Sequence, residues 1–259
     1  SAHSESRVYV TLNGYRWDHF EPYIFSSDDY GKTWQKLGVN LPLEPINVVR
    51  EDPKNSELLY VGTDHGLYIS LNRGGSFMLL DNSLPATPVH DLVVHPRDAE
   101  LVVGTHGRSL YVGRVKELQQ LSAENQAKDL IVFEMDKMRA SPRWGATGWW
   151  NSTKPSATIP LYVRNTGKIS ITVATESGIV LKTWTTDAGK GLNYIAYDLT
   201  IDASVLKSYN AWLNEKVKAD EKPVVVQAAE DGKTYIYKGA YTVTVEKDGK
   251  SEKIKWTLE

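Results

Sequence analysis

Three short stretches in the amino-terminal half carry side chains suited to acid–base chemistry: Asp18-His19, Asp64-His65 and His106-Gly107-Arg108. An imidazole titrates near neutrality, and a guanidinium grips planar anions with two parallel bonds. Converging at one place, these groups could do acid–base work or recognise hydroxyls. The competing reading is that His-Gly makes a tight turn and Arg108 pairs with an acidic neighbour. Glu21 joins Asp18 and Asp64 as a loop carboxylate, and glycosidases work with facing carboxylate pairs. The sequence fixes no separation between these groups. Trp149 and Trp150 sit in a Gly-rich run, where their rings could stack on sugars or cover a seam with a neighbouring domain.

Composition removes several classes of function. The chain has 259 residues and no cysteine, which excludes thiol nucleophiles, disulfides and thiolate metal sites. Thirty Lys/Arg against 32 Asp/Glu give a net charge of -2, with no electrostatic footprint for nucleic acid or anionic lipid. No apolar run reaches the roughly 18–20 residues of a membrane span. No metal and no cofactor are expected. All six histidines precede residue 107 and six of the eight tryptophans follow residue 143, so the chain reads as two domains. The expected division is 1–114, a polar linker with a short helix at 115–128 capped by Ser122, and 129–259.

The elements that would position the candidates repeat. Glu57-Leu-Leu-Tyr-Val-Gly-Thr63 matches Glu100-Leu-Val-Val-Gly-Thr105, and Leu67-Tyr68-Ile69 matches Leu110-Tyr111-Val112, at a period of 42–43 residues. A fixed period of that size made of short strands predicts propeller blades. Ten strands are expected over 8–112, in groups of three, four and three. Equivalent turns between second and third strands would put Asp64-His65 and His106-Arg108 on one end, together with the 13–21 loop. Closing a propeller takes roughly four to eight blades, so the stretch is expected to be an open arc, the carboxy-terminal piece of a longer protein. Its terminal strands would expose unpaired backbone and invite edge pairing.

A second repeat is phased against the first. Ser27-Asp28-Asp29-Tyr30-Gly31-Lys32-Thr33-Trp34 returns 43 residues later as Ser70-Leu71-Asn72-Arg73-Gly74-Gly75-Ser76-Phe77. Ser27, Asp29, Ser70 and Asn72 can bond turn amides, Gly31 and Gly74 can take positive φ, and Trp34 and Phe77 can pack beneath the turn. Thr33 completes the first motif. The acidic residues suggest calcium, but turn formation already employs them.

Residues 129–259 read as strands at 130–134, 158–164, 170–174, 179–185, 193–198, 224–227, 234–237, 240–246 and 252–257, with a hairpin turn at Asp248-Gly249. A helix over 203–217, capped by Asp202, interrupts them. The expected architecture is an immunoglobulin-like sandwich with a helical insertion. The whole chain is thus all-β: a partial propeller of about three blades followed by a sandwich.

The eight-residue motif resembles the Asp-box of BNR-repeat propellers. Residues 22–34, Gly62-Thr-Asp-His-Gly-Leu-Tyr-Ile-Ser70 and Thr105-His-Gly-Arg108 are similar to the end of sortilin-like members, many of them bacterial proteins labelled glycosyl hydrolases. Residues 191–199 and 239–245 resemble a sandwich like that of the flagellar hook-capping protein, which follows the propeller in that family. Family members commonly have Gly where this chain has Tyr30, and the second box departs at three positions. The resemblance implies a periplasmic or extracellular protein that acts on or binds glycans through a completed propeller. The fragment itself would be non-catalytic, its partners the remaining blades and a glycan ligand. The alternative is a sortilin-like propeller that binds peptides, with the sandwich as docking or spacer module.

Overall fold

The computed structural model describes residues 1–80, 84–148, 154–215, 217 and 222–259. Trp149 and Trp150, and with them the sugar-stacking expectation, lie outside the described residues. The chain divides into two compact units, Ser1–Gln126 and Ala127–Glu259. Both are built of small antiparallel sheets, and among the described residues no sheet closes into a barrel.

Unit 1 is a run of three meanders. Strands β1 (Val8–Gly14), β2 (His19–Ser27) and β3 (Gln35–Lys36) form the first sheet, and β4 (Ile46–Glu51), β5 (Leu59–Thr63), β6 (Leu67–Ser70) and β7 (Met78–Leu79) form the second. The third holds β8 (Val89–His95), β9 (Glu100–Thr105) and β10 (Leu110–Arg114). Strand β4 lies against β1 on one side and β8 on the other. The middle sheet is therefore covered on both faces, and every residue of β5 is buried. Ile24, Leu37, Ile46, Leu59, Val61 and Phe77 share the core between the first two sheets. Gly62 permits the close approach of the third sheet. A methyl there would meet Val89 Cγ1 at 2.6 Å and Val48 Cγ1 at 2.7 Å.

The stretch expected as a linker begins inside this unit. Val115, Leu118 and Leu121 are buried, and the Val115 amide donates to Ala99 O at 2.8 Å. Gln119 Nε2 donates to Asp52 Oδ2 at 2.9 Å. Apolar residues spaced three apart thus plug the unit, which the polar composition of 115–128 conceals. A one-turn α1 (Ala123–Gln126) follows, with Ser122 Oγ accepting from the Asn125 amide at 3.2 Å.

Unit 2 has two sheets. One contains β11 (Leu130–Val132), β12 (Ala157–Val163) and β15 (Gly191–Tyr197). The other runs in the order β14 (Val180–Ala188), β13 (Gly167–Thr175), β16 (Gly239–Lys247), β17 (Lys250–Leu258). Alternation fills one core from both: Ile159, Leu161 and Val163 from β12; Ile169, Ile171 and Val173 from β13; Tyr241, Val243 and Val245 from β16. Asp248 (φ 50) and Gly249 (φ 77) make the two-residue turn of the β16–β17 hairpin.

The helical insertion is shorter than expected. A 3-10 turn over Ala203–Val205 leads into α2 (Leu206–Asn214), and the Asp202 side chain makes no cap hydrogen bond. Stretch 224–227 is not a strand, because asparagines of α2 satisfy its backbone instead. Asn214 exchanges two bonds with Val224, and Asn210 two with Val226, all at 2.8–2.9 Å. Stretch 234–237 likewise makes only an isolated bridge, Thr200 to Tyr235. Three tyrosines anchor α2 in a closed ring. The Tyr237 amide donates to Tyr209 Oη at 2.8 Å, the Tyr209 hydroxyl meets that of Tyr241 at 2.5 Å, and Tyr241 returns a bond to Tyr237 O.

Candidate functional site

The two eight-residue motifs fold into the same hydrogen-bonded frame. In the first, Ser27 Oγ donates to Asp29 Oδ1 at 2.8 Å and accepts from the Gly31 amide at 2.8 Å, while Asp29 Oδ1 accepts from the Thr33 amide at 2.8 Å. In the second, Ser70 Oγ donates to Asn72 Oδ1 at 2.9 Å and accepts from Gly74 at 2.8 Å, and Asn72 Oδ1 accepts from Ser76 at 2.9 Å. Only the last bond reverses. Thr33 donates its hydroxyl to the carboxylate at 2.6 Å, whereas the Asn72 amide donates to the Ser76 hydroxyl at 3.1 Å. Both turns take two left-handed residues in succession, Tyr30 (φ 60) with Gly31 (φ 82) and Arg73 (φ 54) with Gly74 (φ 86). Bonds from Thr33, then Ser27, hold the Asp29 carboxyl down to about 2. Phe77 is buried, but Trp34 lies half-exposed against Gly31. The first sheet has an uncovered outer face, so the indole does not disappear beneath a turn.

The opposite end of the sheets carries the polar candidates. Asp64 Oδ1 accepts from Asn47 Nδ2 at 2.9 Å, and Asn47 Oδ1 accepts in turn from Asn13 Nδ2 at 2.8 Å. This row joins the first-sheet loop to the second sheet. Beside Asp64, His65 Nδ1 lies 2.5 Å from Glu44 Oε2; the carboxylate side chain is 8% exposed and the imidazole 73%. A buried carboxylate needs such a partner, and the bond fixes which ring nitrogen faces solvent. The adjoining connection exposes Tyr15 and Trp17 in a 3-10 turn, Tyr15–Trp17, that ends at Asp18 (φ 57), and Phe20 is exposed at the start of β2.

The six candidates do not form one hydrogen-bonded constellation. Asp64 and His65 are engaged as above, but Asp18 and His19 contribute no side-chain bond among the described residues. His106 is held by its backbone, its amide donating to Pro88 O at 2.9 Å, while its ring lies 5.4 Å from that of His90. Arg108 is exposed, with no partner among the described residues. Sequence reasoning missed Asn13, Asn47 and Glu44. The repeat supplied one signal: Asn47 and His90 hold the same register position one residue into β4 and β8.

At the base of unit 1 lies a second polar centre that sequence reasoning also missed. Asp52 is wholly buried. Its Oδ1 accepts from the amides of Lys54 (2.8 Å) and Asn55 (3.0 Å), and its Oδ2 from Tyr60 Oη and Gln119 Nε2, both 2.9 Å. Burial, and then the Asp52 charge, push the Tyr60 hydroxyl far up, so it stays a donor. All four acceptor sites are filled, which makes this a structural lock. Among the described residues no group of three or more His, Asp or Glu side chains could hold a metal ion, and no helix is long and apolar enough to cross a membrane.

No family profile matches the chain, and no curated protein does. Among solved structures it is similar to one described as an ancestral GH74 enzyme, at 14% identity and TM-score 0.35, over 97% of this chain and 34% of that one. It is also similar to an extracellular domain described as that of a hybrid two-component system from B. thetaiotaomicron, at 10% identity and TM-score 0.32, over 92% of this chain and 29% of that one. The chain spans about a third of the length of these structures.

Proposed function

We propose that the three sheets of unit 1 are consecutive blades of a BNR/Asp-box β-propeller and that unit 2 is an immunoglobulin-like sandwich. In this reading the chain is the carboxy-terminal region of an exported glycoside hydrolase-like protein and handles carbohydrate at the end bearing Asn13, Asn47 and Asp64. Two observations support the propeller: turn frames 43 residues apart that share all but one bond direction, and a middle sheet flanked on both faces by its neighbours. The observation that carries the ligand class is the Asn13–Asn47–Asp64 row beside exposed aromatic rings. Planar amides and a carboxylate match sugar hydroxyls, and Tyr15 and Trp17 offer faces on which a pyranose ring stacks. The fragment is assigned binding and positioning, without turnover of its own.

An oligosaccharide array probed with the full chain tests this. Binding should fall at least about tenfold in Asn47→Ala and Trp17→Ala, equivalent to roughly 1.4 kcal/mol. Binding that both variants leave intact would refute the placement of the site. Capture of unstructured peptides with no glycan signal would favour the sortilin-like alternative.

A further inference from the structure

Asn13-Gly14 is the one Asn-Gly pair in the sequence, and the fold employs both members. Gly14 faces His19 across the β1–β2 pair, where a methyl would meet His19 Cβ at 2.8 Å and His19 O at 3.2 Å, so a larger residue is disfavoured. The strand register slips between Leu12 and Gly14, which leaves Asn13 in a bulge with no cross-strand partner. Asn13 is exposed, and its side chain bridges two elements. Its Oδ1 accepts from the Tyr15 amide at 3.1 Å, and its Nδ2 donates to Asn47 Oδ1 at 2.8 Å.

This arrangement suits attack by a backbone nitrogen on the side-chain amide. With no Cβ, Gly14 leaves its own nitrogen unshielded and its backbone free to turn. The Tyr15 N–H already bonds the Asn13 carbonyl oxygen, where negative charge develops once Cγ is attacked, so it serves as a preorganised donor. Asn47, the other member of the link, is followed by Val48, a buried residue whose branched side chain screens the corresponding nitrogen.

We infer that Asn13 is a site of spontaneous deamidation. The Gly14 nitrogen bonds to Asn13 Cγ and gives up its proton, the Cγ–Nδ2 bond breaks, and ammonia leaves with that proton, closing a cyclic imide. Water then adds to one imide carbonyl and opens the ring, leaving aspartate or isoaspartate at position 13. No electron is transferred, and water is the co-reactant. The product severs the row that joins the first sheet to the second. Asn47 has one donor end and one acceptor end, and its donor end is held by Asp64 at 2.9 Å. A carboxylate at position 13 either faces the Asn47 carbonyl oxygen or draws the amide away from Asp64, and one link is lost in each case. Neither the chemistry nor the lost link depends on the carbohydrate reading.

Peptide mapping by mass spectrometry on the full folded chain, aged at mildly alkaline pH, tests the chemistry. Conversion at Asn13 should outpace conversion at Asn47 by at least about tenfold. A ratio short of that overturns the inference. Hydrogen exchange at the buried β5 amides tests the lost link, with circular dichroism to confirm that each variant folds. Exchange should speed up about fivefold in Asn13→Asp, but by less than about twofold when the same change is added to Asn47→Ala. An unchanged rate in Asn13→Asp, or an equal acceleration in the Asn47→Ala background, overturns the severed row. Both readouts are free of ligand, so an array result against the placement of the sugar site leaves them standing.

Discussion

Replacing Asp52 with alanine should be among the most damaging single changes in unit 1. The carboxylate is wholly buried and accepts four hydrogen bonds, two from backbone amides of the β4–β5 turn and one each from Tyr60 and Gln119. Hydrogen bonds to a charged group contribute about 1.5–3 kcal/mol each, but they are not additive. Removing the common acceptor strands the buried Tyr60 hydroxyl and two backbone amides, each left unsatisfied at about 1–3 kcal/mol and not additively, so the change should cost about 3–5 kcal/mol. Asn at the same position keeps Oδ1 for the Lys54 and Asn55 amides. Its new amide group can donate to Tyr60 Oη, and the Gln119 amide can flip, so Asp52→Asn should cost only about 1–2 kcal/mol. Tyr60→Phe removes one donor and should cost about 1 kcal/mol. The two units have separate cores, so the readout must be local. Hydrogen exchange at the β5 amides, 59–63, reports global opening of unit 1. Protection there should fall about 100- to 5000-fold in Asp52→Ala and only about fivefold in Tyr60→Phe. A loss under tenfold in Asp52→Ala, or equal losses in the two variants, would refute the lock.

Three further outcomes follow from the geometry. The Asp29 carboxyl, held at about 2 by bonds from Thr33 and Ser27, contributes stability present above the ordinary carboxylate range and lost as pH falls through about 2. Its carbon-13 shift should therefore titrate near 2, moving upward in Thr33→Val, while the Asn72 turn has no carboxyl to titrate; a wild-type midpoint at the ordinary value would sink the claim. Gly62→Ala drives a methyl into Val89 and Val48 and should cost about 2–3 kcal/mol beyond Gly104→Ala, whose nearest obstacle is Asp91 O at 3.4 Å. Urea titration of the two variants decides it. Tyr209→Phe leaves the Tyr237 amide and the Tyr241 hydroxyl short of a partner and should destabilise unit 2 by about 1–3 kcal/mol; near-ultraviolet circular dichroism against urea, with a midpoint equal to wild type, would contradict the ring.

The parts of the fold that alternate or repeat were readable in advance. The ten strands of unit 1 announce themselves because Leu58–Leu59–Tyr60–Val61 and Leu101–Val102–Val103 recur with the same turn residues. The eroded second motif was legible because its frame needs an oxygen at the third position, not a charge, so Asn72 serves as well as Asp29. What escaped depends on contacts between residues far apart in sequence. Glu44 lies between two prolines in a connection, and nothing local says that it will be buried against His65. Asp52 reads as an ordinary turn residue until Gln119 arrives from beyond the third sheet. In unit 2, Val224 and Val226 have strand composition, yet the asparagines of α2 take their backbone bonds first. For Asp18, His19 and Arg108 the residue types are suggestive, yet no side-chain hydrogen bond joins them among the described residues.

The plug formed by Val115, Leu118 and Leu121 sets where the amino-terminal unit can be severed from the rest. A polypeptide trimmed at Arg114 would discard Gln119 and uncap Asp52, leaving hydrophobic ground around Ala99 open to water. The workable scission point is Gln126, whose amide still reaches Leu71 O at 3.3 Å. Anyone dissecting this chain by composition would cut a dozen residues too early.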